Sequence, residues 1–291
     1  MPVWCDSCNQ SAEVGTASDQ EESCRTAAQL EKYLQRGGWN IVLRFIPREM
    51  MRSARLVLVE AQAFHARAIE GDMQHDMRRA YEAAQEAIKK LNNQLEADKF
   101  SFDKALFAQA QLLKANTLAN LASIVETDMP DALGTAYSAV GKAACALWEL
   151  KDPDVGNALR VMGVIQHKLR NDPRSAEEYF LAAIRFFQEY EHINNKWYAV
   201  SHWNLYRMLI DCNSRKAVSF LQRAGDLREE VEGAEHPYTR MYRQQLEKER
   251  RSVPDLHDDV MHQEVSDTLQ QFDRILARVL SQFWTAALVL D

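Results

Sequence analysis

Between about residues 50 and 250 the apolar positions recur at helical spacing, and small side chains are set among them at fixed offsets. The pattern is clearest in the stretch from Ala176 to Phe187, which Asn171-Asp172-Pro173 introduces. At 3.6 residues per turn Ala176, Phe180 and Ala183 share one face. Two alanines flanking a bulky residue let a second helix approach closely while the bulky side chain fills the gap. A preceding helix, roughly Asn157 to Lys168, carries Leu159, Met162 and Gly163 at the matching spacing, so Gly163 is expected opposite Ala176.

The same signature recurs at Ala80/Ala84/Ala87, Ala136/Val140/Ala143 and Ala217/Leu221/Ala224. The copies that begin at Ala136, Ala176 and Ala217 are separated by 40 and 41 residues. Such a period indicates stacked helical pairs, because one pair cannot bury its apolar face alone. The 56 residues from Ala80 to Ala136 depart from it, so a longer pair or an inserted loop around Asn92 to Ser101 is expected there.

Taken in order, residues 1–25 are polar and expected to be disordered. Residues 26–70 read as two helices broken near Gly37-Gly38 and Pro47, with an apolar cluster from Trp39 to Ile46. That cluster is an N-terminal cap on the first repeat or, as the sharper alternative, an exposed docking patch. Leu56–Ile69 and Asp76–Leu95 make the first pair, turned at Gly71-Asp72, and Asp103–Glu126 is a long helix. No long run of alternating β-branched residues argues for a sheet. In the last helix Val265, Leu269, Phe272, Leu276, Val279, Phe283, Ala286 and Leu290 alternate steps of four and three, an a/d seam. Arg274, Arg278 and Gln282 interrupt it, so it is too short to span a membrane. It is expected to cover the last repeat, with self-association of two chains through Val265–Leu290 as the alternative.

The chain resembles the tetratricopeptide-repeat (TPR) family. Ala176, Phe180 and Ala183 match that family's second helix; Leu159, Met162, Gly163 and Gln166, and before them Leu118, Leu121, Ala122 and Val125, stand at its first-helix positions. The long steps, against a family period of about 34 residues, look like the repeats of kinesin light chains. The stretch Leu227 to Thr239, where Gly233 is followed by His236-Pro237-Tyr238-Thr239, has the same look. The resemblance implies an all-α, right-handed helical-repeat solenoid over residues 26–254, with 255–291 as a C-terminal amphipathic helix.

It also implies that first helices line a concave groove. Asn116 and Asn120 lie one turn apart, Asn157 and Arg160 follow one period later, and Asn204 and Arg207 continue the row. Asn can pair with a peptide backbone and Arg can grip a carboxylate, so these six are the candidate partner-binding residues. A solvated face or inter-repeat hydrogen bonding is the competing reading. The aromatic stretch of Tyr190, His192, Trp197, Tyr198, His202, Trp203 and Tyr206 is expected to be core.

A net charge of −7 argues against a protein that coats nucleic acid. The basic stretch at Arg240, Arg243, Lys248, Arg250 and Arg251 is interleaved with Glu247 and Glu249, as on a salt-bridged surface helix. Five cysteines, an odd number, and no secretory leader point to a reducing cytoplasm or nucleus. Cys5 and Cys8 form one Cys-x2-Cys with Cys24 nearby, short of a four-ligand zinc set. His257, Asp258, Asp259, His262 and Glu264 are the other cluster with metal chemistry; capping of a helix start explains its acids. No phosphate loop, nucleophile elbow or kinase signature is present. No cofactor, metal or catalytic residue is expected. The reading is a non-catalytic scaffold or adaptor that holds a peptide or partner helix; a peptide-gated regulator and a small metal-binding protein are the alternatives.

Overall fold

The computed structural model describes residues 28–32, 53–70, 73–97, 103–124, 131–189, 196–252 and 258–288. Every regular element among them is helical, so the protein is all-α. Beyond a short helical stretch at 28–32, the helices are α1 (Ala54–Glu70), α2 (Met73–Ala97), α3 (Lys104–Ile124), α4 (Ala132–Glu149), α5 (Val155–Lys168), α6 (Pro173–Glu189), α7 (Lys196–Leu209), α8 (Ser214–Glu232), α9 (Pro237–Ser252) and α10 (Asp258–Leu288). Their starts follow local chemistry. Asp172 accepts from the Ser175 backbone N–H at 3.0 Å, and Pro173, with no N–H to satisfy, begins α6. Asn213 caps α8 through the Lys216 N–H at 3.1 Å, and Asp103 caps α3 through that of Leu106 at 2.9 Å. Gly233 ends α8 at φ 87°, a conformation that glycine adopts at no steric cost.

The chain divides at Pro130 into two compact units. In the first unit α1 packs on α2, and both meet α3. Ala80, Ala84 and Ala87 are fully buried, as their spacing required, and Val57, Leu58, Leu91 and Ala110 fill the same core. The extra length before Ala136 is helix in part: α2 has 25 residues and runs past Asn92 to Ala97. Asp76, 2% exposed, takes both ends of the Arg67 guanidinium at 2.5 Å and ties the start of α2 to α1.

In the second unit successive helices pack as α4 on α5, α5 on α6, α6 on α7, α7 on α8 and α8 on α9. The small positions let them close up. A Cβ added to Gly163 would lie 2.6 Å from the Phe180 ring, and one on Gly156 would lie 2.7 Å from Phe187. Gly163 therefore meets Phe180, the bulky residue of the α6 signature, one turn on from Ala176. The glycine opens the gap and the phenylalanine fills it.

The last helix does not close the end at α9. From its N-terminal to its C-terminal half, α10 crosses α8, then α6, then α4. Glu264 accepts from Ser219 at 3.0 Å, Arg185 pairs with Asp273 at 2.6 Å, Arg278 donates to Glu178 at 2.7 Å, and Trp284 meets Trp148 edge-on at 4.9 Å. Its seam residues Val265, Leu269, Phe272, Val279 and Phe283 are buried. The heptad stripe thus covers a row of helices of its own chain, because a/d spacing fits a row of ridges as well as a second copy.

Candidate functional site

Helices α5 and α7 contain no Asp or Glu, in a chain whose net charge is −7. They carry Arg160, His167 and Lys168 on one, Lys196 and Arg207 on the other. The two pack on each other and run parallel. The Arg160 guanidinium lies 4.8 Å from the Trp197 ring centroid at the start of α7, and Lys168 feels the charge of Arg207 near its end. Seven residues along each helix, two turns, bring His167 level with Asn204.

Twelve consecutive residues of α5, Val155 to Gln166, are buried, so its polar side chains are enclosed. Arg160 is 4% exposed; its Nε donates to Asn157 Oδ1 at 2.8 Å, and the Trp197 face covers the guanidinium. Among the described residues no carboxylate pairs with it. Burial lowers its pKa to about 10, with Tyr242 and Asp154 opposing the shift. A buried arginine without a carboxylate is uncommon, since removal from water is costly when no opposite charge compensates. Arg228 in the same unit shows the usual solution: equally buried, it pairs with Glu232 at 2.5 Å beside Tyr238 and Tyr242.

Further along, the Asn204 amide nitrogen is buried and has no hydrogen-bond partner. His167 and Lys168 are half-buried at the end of α5. Burial lowers both pKa values; Lys168 and Arg207 push His167 down further, and Arg207 does the same to Lys168. Arg207 itself is exposed. The face thus holds one buried cation that makes no salt bridge among the described residues and feels Asp154 only at longer range, one unfilled amide donor and a group of like charges that repel each other.

The six sequence-derived residues do not form one open row. In the second unit Asn157 and Arg160 are buried and engaged with each other, Asn204 is half-buried and Arg207 is exposed. In the first unit Asn116 is buried and its Nδ2 lies 2.9 Å from His65 Nε2, while Asn120 donates to the Asn116 carbonyl at 2.8 Å. Those two amides serve packing. His167 and Lys168 escaped the sequence reading: the two stretches without an acid, 155–168 and 196–209, are visible in it, but α6 separates them and only the fold packs them together.

The aromatic stretch is largely core. Tyr198 and His202 are 1% and 0% exposed, and Trp203 stacks on Tyr242 of α9 at 4.3 Å with the planes 3° apart. Tyr206 donates to Glu249 at 2.9 Å and accepts from Gln245 at 2.8 Å; burial first, and Glu249 next, raise its pKa to about 12. On α9, Arg251 pairs with Glu247 at 2.8 Å, Arg243 with Glu229, and Arg250 donates to Gln222 at 2.8 Å. Cys5, Cys8, Cys24, Tyr190, His192, His257 and the cluster from Trp39 to Ile46 lie outside the described residues, as do the side chains of Asp258, Asp259 and His262. Among the described residues no three His, Cys, Asp or Glu side chains gather as metal ligands, and no helix is long and apolar enough to cross a membrane. Comparison with family models, with curated proteins and with solved structures finds no match.

Proposed function

We propose that the protein is a non-catalytic interaction module of the TPR-like kind, and that its second unit docks an acidic segment of a protein partner along α5 and α7. The observation that carries the reading is the pair α5 and α7, which contain no acid and bear Lys168, Arg207 and the buried Arg160, a cation with no salt bridge among the described residues. A partner carboxylate would add to the partial compensation from Asp154, and would reach the guanidinium, held by Asn157 beneath Trp197, as that ring moves aside. The unfilled Asn204 donor suits a backbone carbonyl of the same segment. The remaining cations, Lys168 and Arg207, would steer an acidic chain onto the face.

The test uses a library of extended peptides of equal length, acidic, neutral and basic, read by calorimetric titration against wild type and Arg160→Met. Acidic members should bind saturably, and Arg160→Met should weaken them about tenfold or more, the scale of a charge-assisted hydrogen bond. Equal affinity for neutral and acidic peptides, or an Arg160→Met variant that binds as wild type does, would sink the reading.

A further inference from the structure

We infer that the first unit holds a separate site, a cleft between α2 and α3 that takes a small phosphate monoester. It concerns a different unit and different residues from the docking reading above, so either can fail alone.

The cleft has a volume of about 310 Å³ and is lined by Gln85, Ile88, Lys89, Asn92, Asn93 and Lys114. That size lies at the lower end of small-molecule sites, about 300–1000 Å³. The α2 residues recur at i, i+3, i+4, i+7 and i+8, one stripe over two turns, and half-buried Lys114 joins them from α3. Ile88, 9% exposed, belongs to the core of the unit and gives the cleft its apolar contact.

The chemistry of the lining is one-sided. Two ammonium groups and three primary amides line it, and no carboxylate does. Glu86, the acid nearest Lys89 along α2, pairs instead with Lys90 at 3.3 Å. Among the described residues Lys89 makes no ion pair, and no side-chain hydrogen bond engages Asn92 or Asn93. Gln85 gives one amide hydrogen to the Tyr81 hydroxyl at 2.8 Å and keeps the other.

Such a set fits phosphate better than carboxylate. A phosphate monoester presents three terminal oxygens and about two negative charges at pH 7, which two ammonium groups balance. A carboxylate brings one charge and two oxygens, leaving one lysine and the amides unused. Lysine binds phosphate as a point charge, and the amide N–H groups take the oxygens it leaves over. The lining covers two turns of one helix and a single residue of the next, so it holds a compact body better than an extended chain.

The full chain is titrated calorimetrically with glycerol phosphate, with glycerol and succinate as comparisons. Glycerol phosphate should bind saturably and about tenfold or more tightly than succinate, and glycerol should not bind. Lys89 is exposed, so Lys89→Gln should keep the fold and weaken binding about tenfold, the scale of one charge-assisted hydrogen bond. Lys90→Gln removes the same charge outside the cleft and should bind as wild type does. The side-chain amide NMR signals of Asn92 and Asn93 should shift as the ligand saturates. Equal weakening in the two variants, or equal affinity for succinate, would show that net charge attracts the anion and that the cleft is not its site. A phosphoserine peptide, or vesicles carrying phosphatidic acid, bound more tightly than glycerol phosphate would overturn the small-molecule assignment.

Discussion

A Cβ on Gly163 would sit 2.6 Å from the ring of Phe180, which is itself 2% exposed. In an exposed helix, glycine to alanine stabilises by about 1 kcal/mol through backbone entropy. Here the ring is enclosed and α5 must move away from α6, so overpacking wins. Gly163→Ala should lower stability by about 1–3 kcal/mol in urea unfolding. A neutral or stabilised variant would mean that the helices part freely.

Breaking the clasp of α1 and α2 should be asymmetric. Asp76 is almost fully buried, whereas about a third of the Arg67 side chain is exposed. Arg67→Ala leaves a bare buried carboxylate and should cost about 3 kcal/mol or more. Asp76→Ala leaves a cation that still reaches water and should cost less. Chemical denaturation of the two variants side by side would show the order, and equal losses would contradict the burial argument.

His202 is fully buried between the Tyr198 and Phe220 rings, 5.0 and 5.6 Å away, and neither ring nitrogen has a partner. Burial, with Arg223 adding to it, lowers its pKa from 6.5 to about 3. The unfolded state therefore binds the proton more readily. Its contribution to stability is complete above pH 6.5 and falls by about 1.4 kcal/mol per pH unit below that, until the folded pKa is reached. His202→Leu should flatten this acid limb while leaving neutral-pH stability intact or higher, as denaturant midpoints between pH 7.5 and 4.5 would reveal. An unchanged limb would assign the acid sensitivity elsewhere.

Along α10 the seam and the ion pairs should separate cleanly. Phe283 is fully buried, and truncation to alanine should cost about 3–5 kcal/mol. Asp273, partly exposed in its pair with Arg185, should lose under 1 kcal/mol as Asp273→Asn. Thermal melts at low and high salt would distinguish them, since only the second should depend on ionic strength.

The helices were legible because 3.6-residue periodicity and caps such as Asp172-Pro173 act locally. The 40-residue spacing of Ala136, Ala176 and Ala217 likewise exposed the paired packing. What periodicity cannot show is which neighbour a face meets. The seam of α10 reads the same whether it covers an end, a second copy or the row α8, α6 and α4. For the same reason Asn157 and Arg160 looked like an open row. Their spacing marks a face, but only packing reveals that Trp197 covers it. The division at Pro130 was hidden for a related reason, since the small-bulky-small signature occurs on both sides of it.

A chain of stacked pairs ordinarily behaves as a one-dimensional array, in which an end unit can fray while the rest persists. The crossing of α10 over α8, α6 and α4 removes that freedom from the second unit, because contacts more than 100 residues apart, such as Trp148 with Trp284, bind its earliest helix to its last. Unfolding of this unit should thus be all-or-none. During synthesis α4 to α9 would emerge with the α10-facing row still bare, open to chaperones until the final helix is made.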